Sequence, residues 1–180
     1  GADSMRGGGG SDTYYVDNAG DHVIELNGQG IDNVQAYVSF NLSGQELENL
    51  ALRSGAFVYA TGNSVAITIT GNSGNHIIDG LGGADTSSGS TGNDTYYVDD
   101  PSDSAFELAN EGNDAVFASC NYGLAADVET LVMQGSGDFQ GYGNNQVNTL
   151  MGNVGNNLLN GAGGADTMQG FGGGDTYVVD

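Results

Sequence analysis

The sequence predicts an all-β solenoid, a stack of glycine-rich turns joined by very short strands. Three observations predict it: a nine-residue period, a longer period that carries Asp3 onto Asp85 and Asp166, and 33 glycines with 23 acidic against 2 basic residues in 180. Glycine loses the most backbone entropy on ordering, so such a chain needs a repeated geometry and an added stabiliser. With 38% hydrophobic residues, its core is expected to be thin.

The short period is read directly. "GNSVAITIT", "GNSGNHIID", "GLGGADTSS" and "GSTGNDTYY" fill residues 62–97 without a gap. "GNNQVNTLM", "GNVGNNLLN", "GAGGADTMQ" and "GFGGGDTYV" run from 143 to 178, and "GGGGSDTYY" occupies 7–15. Each begins with Gly, usually repeats Gly at position 4, and, except at Ile67, places a polar residue at position 6. The glycines permit φ > 0 and close backbone approach, which suits a tight turn. Positions 7 to 9 alternate as a strand does, so position 8 points inward. It holds Ile69, Ile78, Tyr96, Leu150, Leu159, Met168 and Tyr177, with Ser87 the exception. One such strand cannot bury its side chain alone; a stack at about 4.8 Å spacing can.

The long period aligns "GADSMRGGGGSDTYYVD" (1–17), "GADTSSGSTGNDTYYVD" (83–99) and "GADTMQGFGGGDTYVVD" (164–180). Between them "DNVQAYVSFNL" (32–42) answers "DAVFASCNYGL" (114–124), and "LENLAL" (47–52) answers "VETLVM" (128–133). A one-residue slip falls between those pairs, where a loop tolerates it. The whole chain, 1–180, therefore reads as one solenoid. Its nonapeptide blocks are 1–17, 62–99 and 143–180, and less regular connecting strands at 18–61 and 98–142 are expected to form wider coils. "SGQE" at 43–46 has the form of a capping box and is expected to give at most one helical turn. Opening on "GADS", mid-repeat, the chain has the look of an excised fragment.

A net charge of -21 and a pI near 4.1 restrict the partners. Two basic residues cannot neutralise a nucleic-acid backbone, and the sign opposes anionic membrane surfaces. No apolar run approaches the roughly 18 residues of a membrane span. Cys120 is alone, so no internal disulfide forms, and it reads as a small buried hydrophobe answering Val38. His22 and His76 share no zinc-ligand spacing. No H-E-x-x-H, no G-x-S-x-G and no Cys/His pairing is present, so no catalytic role is expected. Composition alone fits either a disordered or an ion-stabilised chain; the repeats favour the second.

These blocks resemble the RTX (repeats-in-toxin, haemolysin-type) calcium-binding nonapeptides, G-G-x-G-x-D-x-U-x. "GLGGADTSS", "GAGGADTMQ" and "GFGGGDTYV" fit best. The resemblance implies a right-handed parallel β-roll with two nonapeptides per coil. It also implies Ca²⁺ between the turns, held by backbone carbonyls and by position-6 aspartates one coil, or two nonapeptides, apart. Ca²⁺ takes six to eight oxygens, and glycine turns offer unobstructed carbonyls. The implied ligands are therefore Asp3, Asp12, Asp85, Asp94, Asp166 and Asp175, with turn glycines Gly80, Gly82, Gly89, Gly161, Gly163, Gly170 and Gly172.

Eighteen-residue spacing pairs Asp3 with Asp21 and Asp85 with Asp103, the two best pairs, and sets Asp166 and Asp175 over Asn148 and Asn157. Asp94 instead meets His76, a nitrogen donor that Ca²⁺ disfavours, and Asp85 meets Ile67. Calcium is thus expected in the later half of each block, with the early coils held by packing and by Asn or Thr stacking. The end at Asp180 leaves Asp166 and Asp175 without an upper partner. The recurring acids Glu25/Glu107, Asp32/Asp114 and Glu48/Glu129 read as solvated turns or caps, and Tyr14, Tyr96 and Tyr177 as core.

The function expected is a calcium-dependent structural module of a secreted, extracellular protein. The resemblance implies that it passes a type I secretion channel unfolded and folds outside. Extracellular modules bind Ca²⁺ with Kd around 10⁻⁴–10⁻³ M. Four sites at the tighter end, in about millimolar calcium, contribute roughly 5–6 kcal/mol, comparable to the stability of a small domain. The alternatives are an adhesin stalk or a module binding glycans or cell surfaces, and a non-catalytic C-terminal region of a secreted enzyme.

Overall fold

Most nonapeptides close on a three-residue strand whose middle side chain turns inward, while those at 7–15, 71–79 and 89–97 run into the longer strands Thr13–Val16, His76–Leu81 and Thr95–Val98. In the computed structural model, which describes residues 1–179, the three-residue strands include Thr68–Thr70, Thr86–Ser88, Thr149–Met151 and Leu158–Asn160. Ile69, Ser87, Leu150 and Leu159 are the buried residues at their centres. Every strand pairing is parallel, and no helix occurs among the described residues. Within the blocks the register advances by one coil of two nonapeptides: Thr68 lies beside Thr86, Thr149 beside Thr167 and Leu158 beside Thr176. Twenty strands, two per coil, give a parallel β-solenoid of about ten coils.

Successive strands alternate between two faces. One face is an eight-stranded sheet from Phe40–Asn41 to Thr167–Gln169; the other begins as a six-stranded sheet from Thr13–Val16 to Ser104–Ala105. A four-stranded sheet, Tyr122–Gly123 to Thr176–Val178, then continues the alternation. Between the faces lies one ladder of apolar side chains, including Val34, Leu50, Ile69, Ile78, Tyr96, Val116, Leu131, Leu150 and Leu159. Parallel strands buried on the inner side stack like with like, so the core is a line rather than a ball.

The connecting segments do extend the solenoid, but their coils are not uniformly wider. Thr13 pairs with Asn33, twenty positions on; Asn33 with Asn49, sixteen on; and Asn49 with Thr68, nineteen on. In the second unit Thr95 pairs with Ala115, again twenty on; Ala115 with Thr130, fifteen; and Thr130 with Thr149, nineteen. The one-residue slip between units is the difference between the sixteen- and fifteen-position coils, and it lies in the loop before Asn49 and Thr130. Counted along the stack, Thr13, Asn33, Asn49, Thr68 and Thr86 span four coils on one face, while Thr95 stands half a coil further on the other. One long repeat is therefore four and a half coils, and equivalent residues of successive units face opposite sides.

Segment 43–46 forms a turn closed by the Gln45 N–H on the Leu42 carbonyl (2.9 Å), without helix. Tyr14 and Tyr96 are core residues as the pattern requires, but Tyr177 on the last described strand is 47% exposed. Cys120 is only half-buried against the core, and burial raises its thiol to about 11.

Candidate metal centre

The position-6 aspartates do not project into solvent. Each folds back across its own turn against the Cα of the position-1 glycine, Asp85 on Gly80, Asp94 on Gly89, Asp166 on Gly161 and Asp175 on Gly170. Only glycine leaves room there, because a Cβ would collide with the carboxylate. One oxygen accepts a backbone N–H from the coil below: Ile67 to Asp85 Oδ1 (2.9 Å), His76 to Asp94 Oδ1 (2.6 Å), Asn148 to Asp166 Oδ1 (2.8 Å) and Asn157 to Asp175 Oδ1 (2.9 Å). The carboxylate thus faces the turn of the neighbouring coil, the position expected from the sequence for an ion.

Position 4 is the second point that requires glycine. Gly92 has φ +135°, and a Cβ on it would strike the Gly74 carbonyl one coil below. Position 2 holds the same left-handed conformation at Leu81, Ser90, Ala162 and Phe171, with φ between 60° and 67°. There the L side chains carry a cost of roughly 1–2 kcal/mol each. Of the position-3 glycines, Gly163 and Gly172 donate N–H to Asn144 (3.3 Å) and Asn153 (3.2 Å), while the Gly82 turn is open.

The eighteen-residue columns are real, but they are not alike. Asp103 Oδ1 accepts the Asp85 N–H (2.9 Å), and its Oδ2 accepts those of Asp99 (3.2 Å) and Asp100 (3.1 Å). Asp21 repeats this arrangement with Asp3, Asp17 and Asn18, although Asp3 itself is exposed. A narrow cavity lined by Gly80, Ser87, Tyr96 and Asp103 opens beside Asp85. Asn148 and Asn157 are amides whose two ends are already hydrogen bonded. Asn148 accepts the Asn144 N–H (2.7 Å) and donates to the Val128 carbonyl (3.1 Å). Asn157 accepts the Asn153 N–H (2.7 Å) and donates to the Asn153 side chain (3.2 Å). With Asn63 donating to Leu47 (2.7 Å) and Asn153 to Gly137 (3.0 Å), buried amides tie the early coils together.

Sequence spacing missed a second kind of column. In the longer, twenty-position coils Asp94 donates its N–H to Asp114 Oδ1 (2.8 Å), and Asp12 to Asp32 Oδ1 (2.8 Å). Glu107 and Glu25 join these pairs, one oxygen of each carboxylate lying within 4.8 Å of the other two. The expectation that Glu25, Asp32, Glu107 and Asp114 are solvated is therefore corrected: all four are buried. Glu48 and Glu129 are the caps, accepting the Asp32 and Asp114 N–H groups at 2.8 Å. The available signal was the recurrence of all three acids, Asp12, Glu25 and Asp32, one long repeat later as Asp94, Glu107 and Asp114.

Burial is the main cause that pushes Asp85 and Asp94 up to about 7, Glu107 to about 8 and Asp114 to about 6, with neighbouring carboxylates adding to it. Two unit charges about 4.8 Å apart at an effective dielectric of about 20 repel by roughly 3 kcal/mol. Nothing cationic offsets this locally, since neither arginine pairs with a carboxylate among the described residues. Asp12, Asp85 and Asp94 also keep one oxygen, Oδ2, buried without any hydrogen-bond partner. A buried acceptor normally finds a donor, and here a cation would satisfy it. Carboxylates and carbonyl-bearing turns suit Ca²⁺, and neither three-acid cluster includes a His or Cys.

The model of the RTX calcium-binding nonapeptide repeat matches four copies, over residues 1–23, 68–96 and 142–177. Comparison with curated proteins and with solved structures finds no match. Stacked glycine turns, position-6 carboxylates that reach the neighbouring coil and the repeat match agree, and the chain carries RTX calcium-binding nonapeptide repeats.

Proposed function

We propose that this Ca²⁺-binding β-solenoid is the calcium-dependent folding module of a secreted protein, non-catalytic in itself, which orders only on reaching extracellular calcium. The observation that carries the reading is the unpartnered buried Oδ2 of Asp85 and Asp94 in a chain of charge -21. Without an ion these carboxylates oppose the stack; with one they join successive turns. Asp3, Asp12, Asp85, Asp94, Asp166 and Asp175 supply the charge in this reading, and the turn glycines supply carbonyls. Low cytosolic calcium then keeps the chain unfolded for export, and millimolar calcium outside folds it. Use as an adhesive or glycan-binding surface is a second reading. It is favoured by the stacked rings of Tyr97 and Phe117 on the eight-stranded face, 5.5 Å apart.

Far-UV circular dichroism during a calcium titration tests the proposal. At pH 8, where the buried carboxylates are ionised, the chelated chain is expected to lack the β signature and to gain it cooperatively below a few millimolar Ca²⁺. An identical spectrum in EDTA and in calcium would refute it.

A further inference from the structure

Among the described residues, five of the six buried carboxylate oxygens without a partner belong to two three-acid clusters, Asp12–Glu25–Asp32 and Asp94–Glu107–Asp114. In the second, Asp94, Glu107 and Asp114 are 1%, 5% and 1% exposed, and each keeps one oxygen free: Oδ2, Oε2 and Oδ2. Their other oxygens are held. Asp94 Oδ1 accepts the His76 N–H, Asp114 Oδ1 the Asp94 N–H, and Glu107 Oε1 both the Gly89 N–H (3.0 Å) and the Tyr96 hydroxyl. The free oxygens are thereby fixed in orientation before any ligand arrives. The first cluster repeats this in part: Glu25 Oε1 takes the Gly7 N–H (3.2 Å) and the Tyr14 hydroxyl and Asp32 Oδ1 the Asp12 N–H (2.8 Å), Asp12 Oδ2 and Glu25 Oε2 are free, and Asp12 is only half-buried.

We infer that the turns of Asp12 and Asp94 are calcium sites of a second kind, in which a glutamate and a second aspartate from the longer coil make a three-carboxylate set that the other nonapeptide turns lack. This inference rests on the calcium-binding reading above. Two features of this chain make the difference. Glu107 and Glu25 stand one coil above Gly89 and Gly7, where the nonapeptide pattern has glycine, and they add a third charge. The longer coil then brings Asp114 and Asp32, rather than the residues two nonapeptides on, opposite Asp94 and Asp12. Glu107, Asp114, Glu25 and Asp32 all lie outside the segments matched by the repeat model. Ca²⁺ affinity rises with the number of charged ligands and the rigidity of the site, so these two sites fill before the other turns. Because a unit is four and a half coils, the two ions sit on opposite sides of the solenoid.

The test uses the full chain, titrated with Ca²⁺ by calorimetry and with Tb³⁺, a hard-cation surrogate, by tyrosine-sensitised luminescence. With nine tyrosines and no tryptophan, the chain provides its own donors, and Tyr14 and Tyr96 touch a ligand carboxylate. Two equivalents are expected to bind at least tenfold more tightly than the rest and to saturate the terbium emission. Glu25→Gln and Glu107→Gln singly should each remove one tight equivalent and about half of the emission, and Tyr96→Phe should halve the emission with the calcium count unchanged. Unchanged tight stoichiometry in both Glu→Gln variants, or emission indifferent to Tyr96→Phe, would overturn the inference while leaving calcium-dependent folding intact. A chain that takes up no calcium at all overturns both.

Discussion

Removing calcium should invert the usual dependence of stability on pH. Asp85 and Asp94 rise from 3.8 to about 7, Asp114 to about 6 and Glu107 from 4.5 to about 8, each first through burial. The folded state therefore binds more protons than the unfolded state between about pH 4 and 8. Stability is fully present below the unfolded values near 4 and is lost as pH climbs through the folded values. A step from 3.8 to about 7 is worth about 4 kcal/mol at most, and on the order of 1–2 kcal/mol once water reaching these turns screens the charge. Four such groups amount to roughly 4–8 kcal/mol, comparable to the whole stability of a small domain. The assay is thermal unfolding by far-UV circular dichroism, in EDTA and in excess calcium, from pH 4.5 to 8. About 1 M salt shrinks the Debye length to about 3 Å and removes the contribution of exposed acids. In EDTA the folded signal should be present near pH 4.5–5, where protons neutralise these carboxylates, and should melt at ever lower temperature until it is lost towards pH 8; in calcium, which competes with the protons, the melting temperature should rise with pH. A chelated chain equally stable at pH 5 and pH 8 in high salt would refute the reasoning.

Two backbone substitutions have opposite expected signs in calcium. Gly92→Ala puts a side chain at φ +135° against the Gly74 carbonyl and should destabilise by more than about 2 kcal/mol, read as a lower melting temperature. Ala162→Gly relieves φ +62° at position 2 and should stabilise by about 0.5–1 kcal/mol, the left-handed cost less the extra freedom of glycine in the unfolded chain.

What the sequence determined is local and periodic. A nine-residue repeat with glycine at positions 1 and 4, an acid at 6 and an apolar residue at 8 settles the turn, the strand and the inward side chain, because each depends on a few neighbouring residues. Ile69, Leu150 and Tyr96 are buried as that pattern requires, and Asp85 lies beside Asp103 as the two-nonapeptide spacing requires. What only the tertiary structure decided is which residues meet across coils of unequal length. Two extra residues in the coil from Thr95 to Ala115 move Asp94 from a glycine to Asp114 and draw Glu107 under cover. The same accumulation of lengths turns equivalent residues of successive units to opposite faces. Register between coils is fixed by backbone hydrogen bonds made after the chain has gone once around, and by loops whose length carries no periodic mark.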